Sequence, residues 1–565
     1  ENSLSKLNYQ SVQLDGWNMI LMNTLIFAKM VGINKMKDKK ITSQVGKDLT
    51  GESQDNASRL GDNDTEESTG RVKEPKQDEL LINITSKYCK LFHDDQDEAY
   101  AKIKIKNHIE VWNITSLGFK DWIARELWKQ YRQGLNKSSF DSALTTLRGM
   151  AIYDGHIEQT YLRVAQLGDF IFIDLCNKKW QAIQISSSGW VIVDESPVSF
   201  VRSKNMQPLR VPESDGNIHL FKKHLNIQDR DFPLIVGWLL MSMQAGRGAY
   251  PIMVLQGTAG CGKTTISRML RELVDPNKAD LLSKPKTQDM RVVGVNNHVL
   301  AFDNLSGIHP NYSDSLCKIA TGDNQTIRVL YTTNDEMTLS IKKPILLNGI
   351  DEIAVRGDLI SRSVKIELQK LKQSKTESSV WSDFIEDVPS ILGALLDGLC
   401  LALSRADYIK IDKLLRMGDF CKWASAASGV YGWNEDQFMT AYRANISSSY
   451  VDSIEASTFA SGVVQMFKSR LEFTGTPLEL LRQVEDSFVS EKVKHSHKWV
   501  TTAKGVMSKL NRYQDALEVF GIKFNKTRDR TNRTILTITR DVDTYDKAIV
   551  SSQSGEEWLE EYDIA

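Results

Sequence analysis

The stretch GTAGCGKT, residues 257–264, has the residue types and spacing of a loop that binds phosphate groups. The apolar run PIMVLQ precedes it and the helix-like run TTISRMLREL follows, which is the setting that such a loop requires. Its glycines let backbone N–H groups face phosphate oxygens, and the next helix adds its N-terminal dipole. We therefore predict that ATP is bound by Gly257, Thr258, Ala259, Gly260, Cys261, Gly262, Lys263, Thr264 and Thr265.

Within this loop, Lys263 is expected to bridge the β and γ phosphates, and the Thr264 hydroxyl to ligate Mg²⁺. A second oxygen ligand comes from the run HVLAFDN, an apolar strand that ends in Asp303, forty residues after Lys263. A carboxylate at the end of such a strand can hold Mg²⁺ directly or through water. The sequence therefore predicts a metal site formed by Thr264 and Asp303.

Two later segments could complete the chemistry of hydrolysis. The strand-like run KPILLNGI ends in Asn348, whose amide could orient the attacking water, although a simple turn asparagine before Gly349 is the alternative. In RGDLISRSVKIEL, Arg356 and Arg362 precede another apolar run. An arginine there can reach the ATP site of a neighbouring subunit and raise the rate by roughly 10³–10⁵. We favour Arg362, and an ordinary surface ion pair is the alternative.

These residues require an alternation of strands and helices, which we expect over residues 211–370 as an α/β P-loop core. The remaining regions differ in composition and periodicity. We predict a helical remnant and flexible acidic linker over 1–80, an α+β accessory domain with a small antiparallel sheet over 81–210, a helical connector over 371–466, a winged-helix-like basic domain over 467–541 and an acidic tail over 542–565.

The basic domain is expected to contact DNA. TPLELLRQVED predicts a helix with Thr476 as its cap and Pro477 at its first position, and a second helix and a basic hairpin follow. From Lys492 to Arg540 there are twelve basic and three acidic residues, a net charge of +9. Such charge suits phosphate contact, although a solvated face or a protein-binding winged helix is the alternative. The candidate contacts are Lys498, Lys504, Lys509, Arg528, Arg530 and Arg533.

The composition of the whole chain excludes several other classes. The formal net charge is −1, so a nucleic-acid site must come from local patches. The six cysteines form no C-x-x-C pair, which argues against zinc and disulfides and favours a cytoplasmic protein. The apolar run WNMILMNTLIFA is too short to cross a membrane. The first residue is Glu1 and not Met, which leaves open a fragment whose upstream part is missing.

The order of motifs within 257–362 resembles superfamily-3 helicases of the AAA+ class, and more narrowly the helicase half of phage- and plasmid-type primase-helicases. The resemblance covers about 230–370. The segments YLRVAQLGDFIFIDL, GWVIVDESPVSFVR and LLRMGDFCKWA look like parts that accompany this motor in replication proteins of mobile elements. The resemblance implies a hexameric ring, ATP with Mg²⁺ bound between subunits, and translocation on single-stranded DNA. A primase upstream or in trans and an origin duplex are further partners it suggests.

The chain departs from the family pattern in two places. After the magnesium-binding Asp303 the family usually has a second acid as catalytic base, and this chain has Asn304, which cannot accept a proton. The base is left open between Asp314, Asp323 and Glu336. The segment IRVLYTTNDEMTLSIKK predicts the hairpin that grips DNA in related motors, but its tip is acidic. We therefore consider Lys342 and Lys343 at its base, or Arg328, as contacts.

Two functions from different classes fit these features. The motif order and the basic tail favour an ATP-driven DNA helicase that replicates a mobile element. Asn304 and the acidic hairpin tip favour an ATP-controlled DNA-binding or assembly protein, such as a loader, regulator or defence factor, without unwinding activity. A P-loop kinase lacks support, because no motif for an acceptor substrate is present and the basic tail would serve no purpose.

Overall fold

The structure is a computed structural model that describes residues 75–322, 324–328, 336–349, 353, 356–371, 375–412, 414–489, 494–495 and 499–545. The predicted acidic tail over 542–565 and the helical remnant and linker over 1–80 lie mostly outside these residues.

The first described elements form a small α+β unit with a hydrophobic core of its own. In chain order they are α1 (Gln77–Tyr88), β1 (Cys89–His93), β2 (Ala99–Ile105), β3 (His108–Asn113), α2 (Leu117–Tyr131) and α3 (Lys137–Tyr153). The strands pair antiparallel in the order β1-β2-β3. The Ser116 hydroxyl accepts a hydrogen bond from the Phe119 N–H and so caps the start of α2.

A second antiparallel sheet follows, where the sequence predicts one sheet for the whole region. The elements are β4 (Thr160–Tyr161), β5 (Val164–Leu167), β6 (Phe170–Asp174), β7 (Ala182–Ser186), β8 (Gly189–Val193) and β9 (Ser199–Phe200). The sheet order is β5-β6-β7-β8, and β4 pairs with β9. Two sheets form because α2 and α3 separate the first three strands from the later ones and contribute to the core behind the first sheet.

The α/β core contains the predicted phosphate loop. Its elements are α4 (His219–Lys222), α5 (Phe232–Ser242), β10 (Ile252–Gln256), α6 (Lys263–Val274), α7 (Met290–Asn296), β11 (Leu300–Leu305), α8 (Pro310–Thr321), β12 (Asn324–Arg328), β13 (Glu336–Ser340), β14 (Ile345–Gly349), α9 (Gly357–Ile360) and β15 (Ser363–Glu367). Four strands form a parallel sheet in the order β11-β14-β10-β15. The predicted mixed α/β core with a parallel sheet is thus confirmed.

The predicted hairpin is also present. Strands β12 and β13 pair antiparallel from Asn324 opposite Ser340 to Arg328 opposite Glu336. Its acidic tip, residues 329–335, lies outside the described residues.

The helical region after the sheet consists of α10 (Glu377–Arg405), α11 (Gly418–Ala427), α12 (Glu435–Glu455) and α13 (Thr458–Met466). By length and composition α10 could cross a membrane, but 56% of its most apolar window is buried inside the protein. Phe384, Leu395 and Leu399 of this helix lie in the core that also contains Leu239 and Leu270. The apolar composition of this helix therefore reflects the face that it buries in the core of the protein.

The last region combines three helices and a three-stranded sheet. Its elements are β16 (Glu472–Gly475), α14 (Pro477–Phe488), α15 (Ala503–Arg512), α16 (Gln514–Val519), β17 (Ile522–Arg528) and β18 (Thr534–Arg540). The sheet order is β16-β18-β17. Thr476 and Glu479 form a capping box before Pro477, as the sequence predicts for the start of α14. The second predicted helix is divided at the buried Tyr513, and β16 is too short for its pattern to predict.

Packing is continuous across several of the predicted domain boundaries. Ile171 and Ile183 of the second antiparallel sheet share one hydrophobic core with residues of α5, α6 and α10. A second core joins the other face of the parallel sheet to α13 and the last region. The boundaries at 210, 370 and 466 therefore stay predictions from sequence.

A buried ion pair ties the second antiparallel sheet to the α/β core. Arg163 Nε lies 3.2 Å from Asp275 Oδ1, and both side chains are fully buried. The other carboxylate oxygen of Asp275 accepts hydrogen bonds from the N–H groups of His298 and Val299. Burial alone would raise the pKa of Asp275, but Arg163, His298, Arg271 and these N–H groups hold it below its ordinary value.

We expect Asp275→Ala to lower the free energy of unfolding by about 3–5 kcal/mol, because the Arg163 charge would be left buried without its partner. The depressed pKa means that this contribution is present above the unfolded pKa of about 3.9 and is lost as the pH falls through the lower folded value. Urea unfolding at pH 7 measures the loss. Asp407→Ala, which breaks the exposed pair with Arg247, is the control and should change stability by less than about 1 kcal/mol. Equal losses for both variants would contradict the prediction.

Candidate nucleotide-binding site

The loop between β10 and α6 has the backbone of a phosphate cradle. Gly257, Gly260 and Gly262 have positive φ angles of 145°, 78° and 87°. A Cβ atom at Gly257 would lie 2.8 Å from Cys261 Sγ, whereas one at Gly260 or Gly262 would meet nothing within 4 Å. The last two positions therefore border open space in front of the N-terminus of α6, where N–H groups can face an anion.

The Lys263 ammonium lies at the mouth of this loop. Its Nζ donates hydrogen bonds to the carbonyl oxygens of Gly257 and Thr258, both at 2.8 Å. The side chain is only partly buried. An ammonium group with three donors in this place can also donate to phosphate oxygens within the loop.

The two predicted metal ligands lie together. The Thr264 hydroxyl donates to Asp303 Oδ1 over 3.1 Å, although the two residues are 39 positions apart in the chain. They meet because the carboxyl ends of β10 and β11 lie at the same edge of the parallel sheet. A hydroxyl and a carboxylate are oxygen ligands that fit Mg²⁺, which keeps several waters and substrate phosphates besides one or two protein ligands.

Asn348 lies at the same edge but its side chain is buried, with 1% exposed. Its Oδ1 accepts a hydrogen bond from the Asn304 N–H and its Nδ2 donates to Ser267 Oγ, both at 2.8 Å. The amide thus connects β14 to β11 and to α6. In this arrangement it fixes the backbone of Asn304, which has a left-handed φ of 54° and an exposed side chain.

Of the two candidate arginines, Arg362 lies at the opposite edge of the sheet. Arg362 immediately precedes Ser363, which pairs with Ile252 at the amino end of β10. At about 3.3 Å per residue, this edge is roughly 13–16 Å from the phosphate loop. Arg362 therefore cannot reach the loop of its own chain.

The two arginines differ in the groups that they contact. Arg356 pairs with the carboxylates of Asp314 and Asp358, both at 3.1 Å. The Arg362 guanidinium donates to the carbonyl oxygen of Asp358 over 2.8 Å. Among the described residues no carboxylate pairs with Arg362, so its charge is free for another partner.

Within the described residues, the structure shows no candidate base beside the phosphate loop. Asp314 pairs with Arg356 over 3.1 Å. Asp323 and the side chain of Glu336 lie outside the described residues.

Two residues that support the site have no signal in the sequence pattern. Asn226 Nδ2 donates to the carbonyl oxygens of Cys261 and Gln369, at 2.7 and 2.5 Å, and so ties the phosphate loop to the chain after β15. Ser267 holds Asn348 from α6. Only its position one helical turn after Lys263 could have suggested a role, because it lies on the same face of α6.

A cavity of about 410 Å³ opens beside the first residues of the loop. Its walls include Gln256, Gly257, Thr258, Lys365 and Glu367, together with residues of α12. Lys365 Nζ lies 2.6 Å from Asp452 Oδ2 in this wall. The cavity has polar walls, borders the phosphate loop and is large enough to hold part of a ligand.

The structure separates the candidate DNA contacts into two groups. Lys342 Nζ donates a hydrogen bond to the Gly248 carbonyl oxygen over 2.7 Å. Burial lowers the pKa of Lys343 to about 8, although the nearby Asp275 carboxylate acts to raise it. Both amines are thus directed into the fold. Lys504, Arg528, Arg530 and Arg533 are exposed, Lys509 is half-buried, and Lys498 lies outside the described residues.

Two family models match this chain. Residues 224–452 match the family described as actinomycete integrative conjugative element replication protein, and residues 459–552 match the AICE RepA C-terminal domain. No curated protein sequence matches the chain.

Several solved structures are similar at low identity. The apo C-terminal region of NrS-1 is 10% identical with a TM-score of 0.36, over 82% of this chain and 98% of that one. SCCmec type IV Cch, described as an active helicase, is 12% identical with a TM-score of 0.41, over 81% and 93%. JCV helicase is 13% identical with a TM-score of 0.20, over 41% and 70%.

The two family matches agree with the expectation that the chain acts in replication of a mobile element, and they specify the kind of element. The sequence indicates phage- and plasmid-type proteins, whereas the matched families come from integrative conjugative elements. The matches meet near residue 455, between α12 and α13. Residues 224–452 are therefore similar to a replication protein of actinomycete integrative conjugative elements, and residues 459–552 to the C-terminal domain of RepA from such elements.

Proposed function

We propose that this protein is an ATP-dependent DNA helicase that replicates an integrative conjugative element. The observation that carries the proposal is the meeting of Lys263, Thr264 and Asp303 at the carboxyl edge of a parallel sheet, with Thr264 Oγ1 and Asp303 Oδ1 3.1 Å apart. Ligands of α/β sheets bind at this edge. The family relation supplies the replication context.

Each side chain has a part in this proposal. The N–H groups of residues 257–264 bind the phosphates of ATP, and Lys263 donates to the β and γ phosphates. Thr264 and Asp303 hold Mg²⁺, which neutralises charge on the phosphates when bound. The adjacent cavity accommodates the rest of the nucleotide, and Asn348 fixes the Asn304 backbone beside the metal ligands.

The position of Arg362 supports a site shared between subunits. Its guanidinium has no carboxylate partner among the described residues and lies at the edge opposite its own loop. In a ring of identical subunits, a head-to-tail contact brings one edge to the other. We therefore propose a cytoplasmic homo-oligomer, a hexamer in keeping with the resemblance, with a primase supplied upstream or in trans.

The test of this function is steady-state ATP hydrolysis with and without single-stranded DNA, followed by a strand-displacement assay. A DNA-stimulated turnover together with ATP-dependent displacement of an annealed strand supports a helicase. Hydrolysis without displacement on any forked substrate would contradict it.

The second candidate function is an ATP-controlled protein that assembles on DNA without unwinding it. The exposed amide of Asn304 favours it, because the residue after Asp303 offers no carboxylate to accept a proton from water. Tight ATP binding without turnover would support this function. In that case Asn304→Asp should raise hydrolysis by roughly 10²–10⁴-fold, since it supplies the missing base. In a working helicase the same change should have little effect.

We expect the turn of the β17–β18 hairpin to contact duplex DNA at the origin. Arg528, Arg530 and Arg533 are exposed there and give the turn a strong positive charge. Replacing all three by alanine removes up to three phosphate contacts. The logarithm of the binding constant falls with the logarithm of the salt concentration, and the magnitude of this slope should decrease by about 2.7. A filter-binding titration at several salt concentrations measures it. Lys468→Ala, outside the hairpin, is the control, and an unchanged slope in the triple variant would contradict the prediction.

A further inference from the structure

A second basic cluster lies next to the metal ligands, outside every motif that the sequence singles out. An open groove of about 500 Å³ is lined by Lys284, Pro285, Lys286, Thr287, His309, Asn311 and Tyr312. Lys284, Lys286 and His309 are exposed. No carboxylate is among the lining residues.

The lysines of this groove have no carboxylate partner among the residues that the structure describes. Lys284 Nζ lies 4.7 Å from the centre of the Tyr312 ring, which attracts the ammonium but leaves its charge unpaired. In the described part of the chain neither Lys284 nor Lys286 has an ion pair. The groove therefore presents two full positive charges to an incoming ligand.

The groove is joined directly to the strand that holds the proposed metal ligand. The N–H of Leu282 donates to the Ala301 carbonyl over 2.8 Å, and the N–H of Asp303 donates to the Leu282 carbonyl over 3.0 Å. Lys284 is thus two residues beyond Leu282, whose backbone pairs with that of Asp303. On the other side, His309 immediately precedes α8, four residues after β11 ends.

We propose that this groove binds the phosphodiester backbone of single-stranded DNA, as a contact of the motor apart from its hairpin. The inference rests on the proposed function. Lysine is a compact point charge that suits phosphate, and the hairpin-base residues Lys342 and Lys343 turn into the fold. Because Tyr312 is 4% exposed, no aromatic face is open to a base. The contact is therefore independent of DNA sequence.

A nucleic-acid strand fits this groove better than an acidic peptide does. A phosphodiester chain carries one charge per residue and follows a positively charged groove, whereas a bound peptide uses an open sheet edge, an apolar groove or a cluster of arginines. The groove offers lysines, an imidazole, an amide and a hydroxyl, and its aromatic residue is closed off by burial.

The test uses the full chain with Lys284→Ala and Lys286→Ala combined, and Lys278→Ala with Lys318→Ala as the matched control. Lys278 and Lys318 are exposed lysines close to the same elements but outside the groove. The probe is a fluorescent oligo-dT strand, titrated at several salt concentrations with a non-hydrolysable ATP analogue. Removal of two phosphate contacts should reduce the salt slope by about 1.4 and weaken binding roughly 25-fold at about 0.1 M salt.

Separate readouts distinguish this proposal from the proposed function. Basal ATP hydrolysis should be unchanged in the double variant, while its stimulation by DNA is lost, and Lys284→Arg with Lys286→Arg should restore both affinity and stimulation. If the unmodified protein does not hydrolyse ATP, the helicase function is contradicted. The groove assignment can still be tested in that case, because DNA binding is measured separately. Affinity and slope equal to those of the control variant would overturn the groove assignment. Equal competition by polyglutamate of matched charge would overturn the choice of a nucleic-acid strand.

Discussion

Replacing Lys263 by alanine is expected to lower steady-state ATP hydrolysis by at least about 100-fold, with the loss mainly in kcat. The ammonium is the positive charge at the mouth of the loop, within 2.8 Å of two loop carbonyl oxygens. It would stabilise charge that grows on the phosphates as the bond to the γ phosphate breaks. A coupled assay for ADP at saturating ATP measures the effect.

The fold should survive this substitution, because the Lys263 side chain is partly exposed and its removal leaves no buried group unpaired. The midpoint of thermal unfolding is therefore expected to shift by less than about 4 °C. Lys278→Ala is the control for the loss of one exposed lysine near the site. Turnover in Lys263→Ala close to that of the control would contradict the assignment of the loop as the ATP site.

The second large effect is expected from Arg362. Its replacement by alanine should lower hydrolysis by roughly 10³–10⁵-fold while ATP still binds, because the guanidinium would act on the transition state in the neighbouring subunit. Among the described residues, the variant loses one hydrogen bond, to the Asp358 carbonyl, which costs about 1 kcal/mol of stability. Arg356→Ala is the matched control, since its charge is already neutralised by Asp314 and Asp358.

Mixing two inactive variants tests whether Arg362 acts between subunits. An Arg362→Ala subunit still has an intact phosphate loop, and a Lys263→Ala subunit still has Arg362. In a head-to-tail ring assembled from equal amounts, about a quarter of the interfaces contain both intact groups, so activity should return. ATP hydrolysis after co-refolding or subunit exchange measures it. A mixture as inactive as its components would contradict an action of Arg362 between subunits.

Local sequence patterns were sufficient to predict the elements that surround the phosphate loop. The strand, the loop with its three glycines and the following helix are specified within about twenty residues, because strand propensity, glycine freedom and helix start are local properties. The ends of the apolar runs at Asp303 and Asn348 were also predictable, since parallel strands bring their carboxyl ends to one edge. The same reasoning placed Arg362 ahead of a closing strand.

The contacts of each polar group, in contrast, depend on how distant parts of the chain pack together. Asn348 faces Asn304 and Ser267 because β14 lies between β11 and β10, an order that the chain sequence does not state. From the sequence, Lys342 and Lys343 are candidate DNA contacts at the base of the hairpin, but in the structure both amines are directed into the fold. The groove at Lys284 and Lys286 exists because Leu282 pairs alongside β11. Burial, charge pairing and the edge a side chain occupies depend on residues distant in the chain, so local patterns cannot specify them.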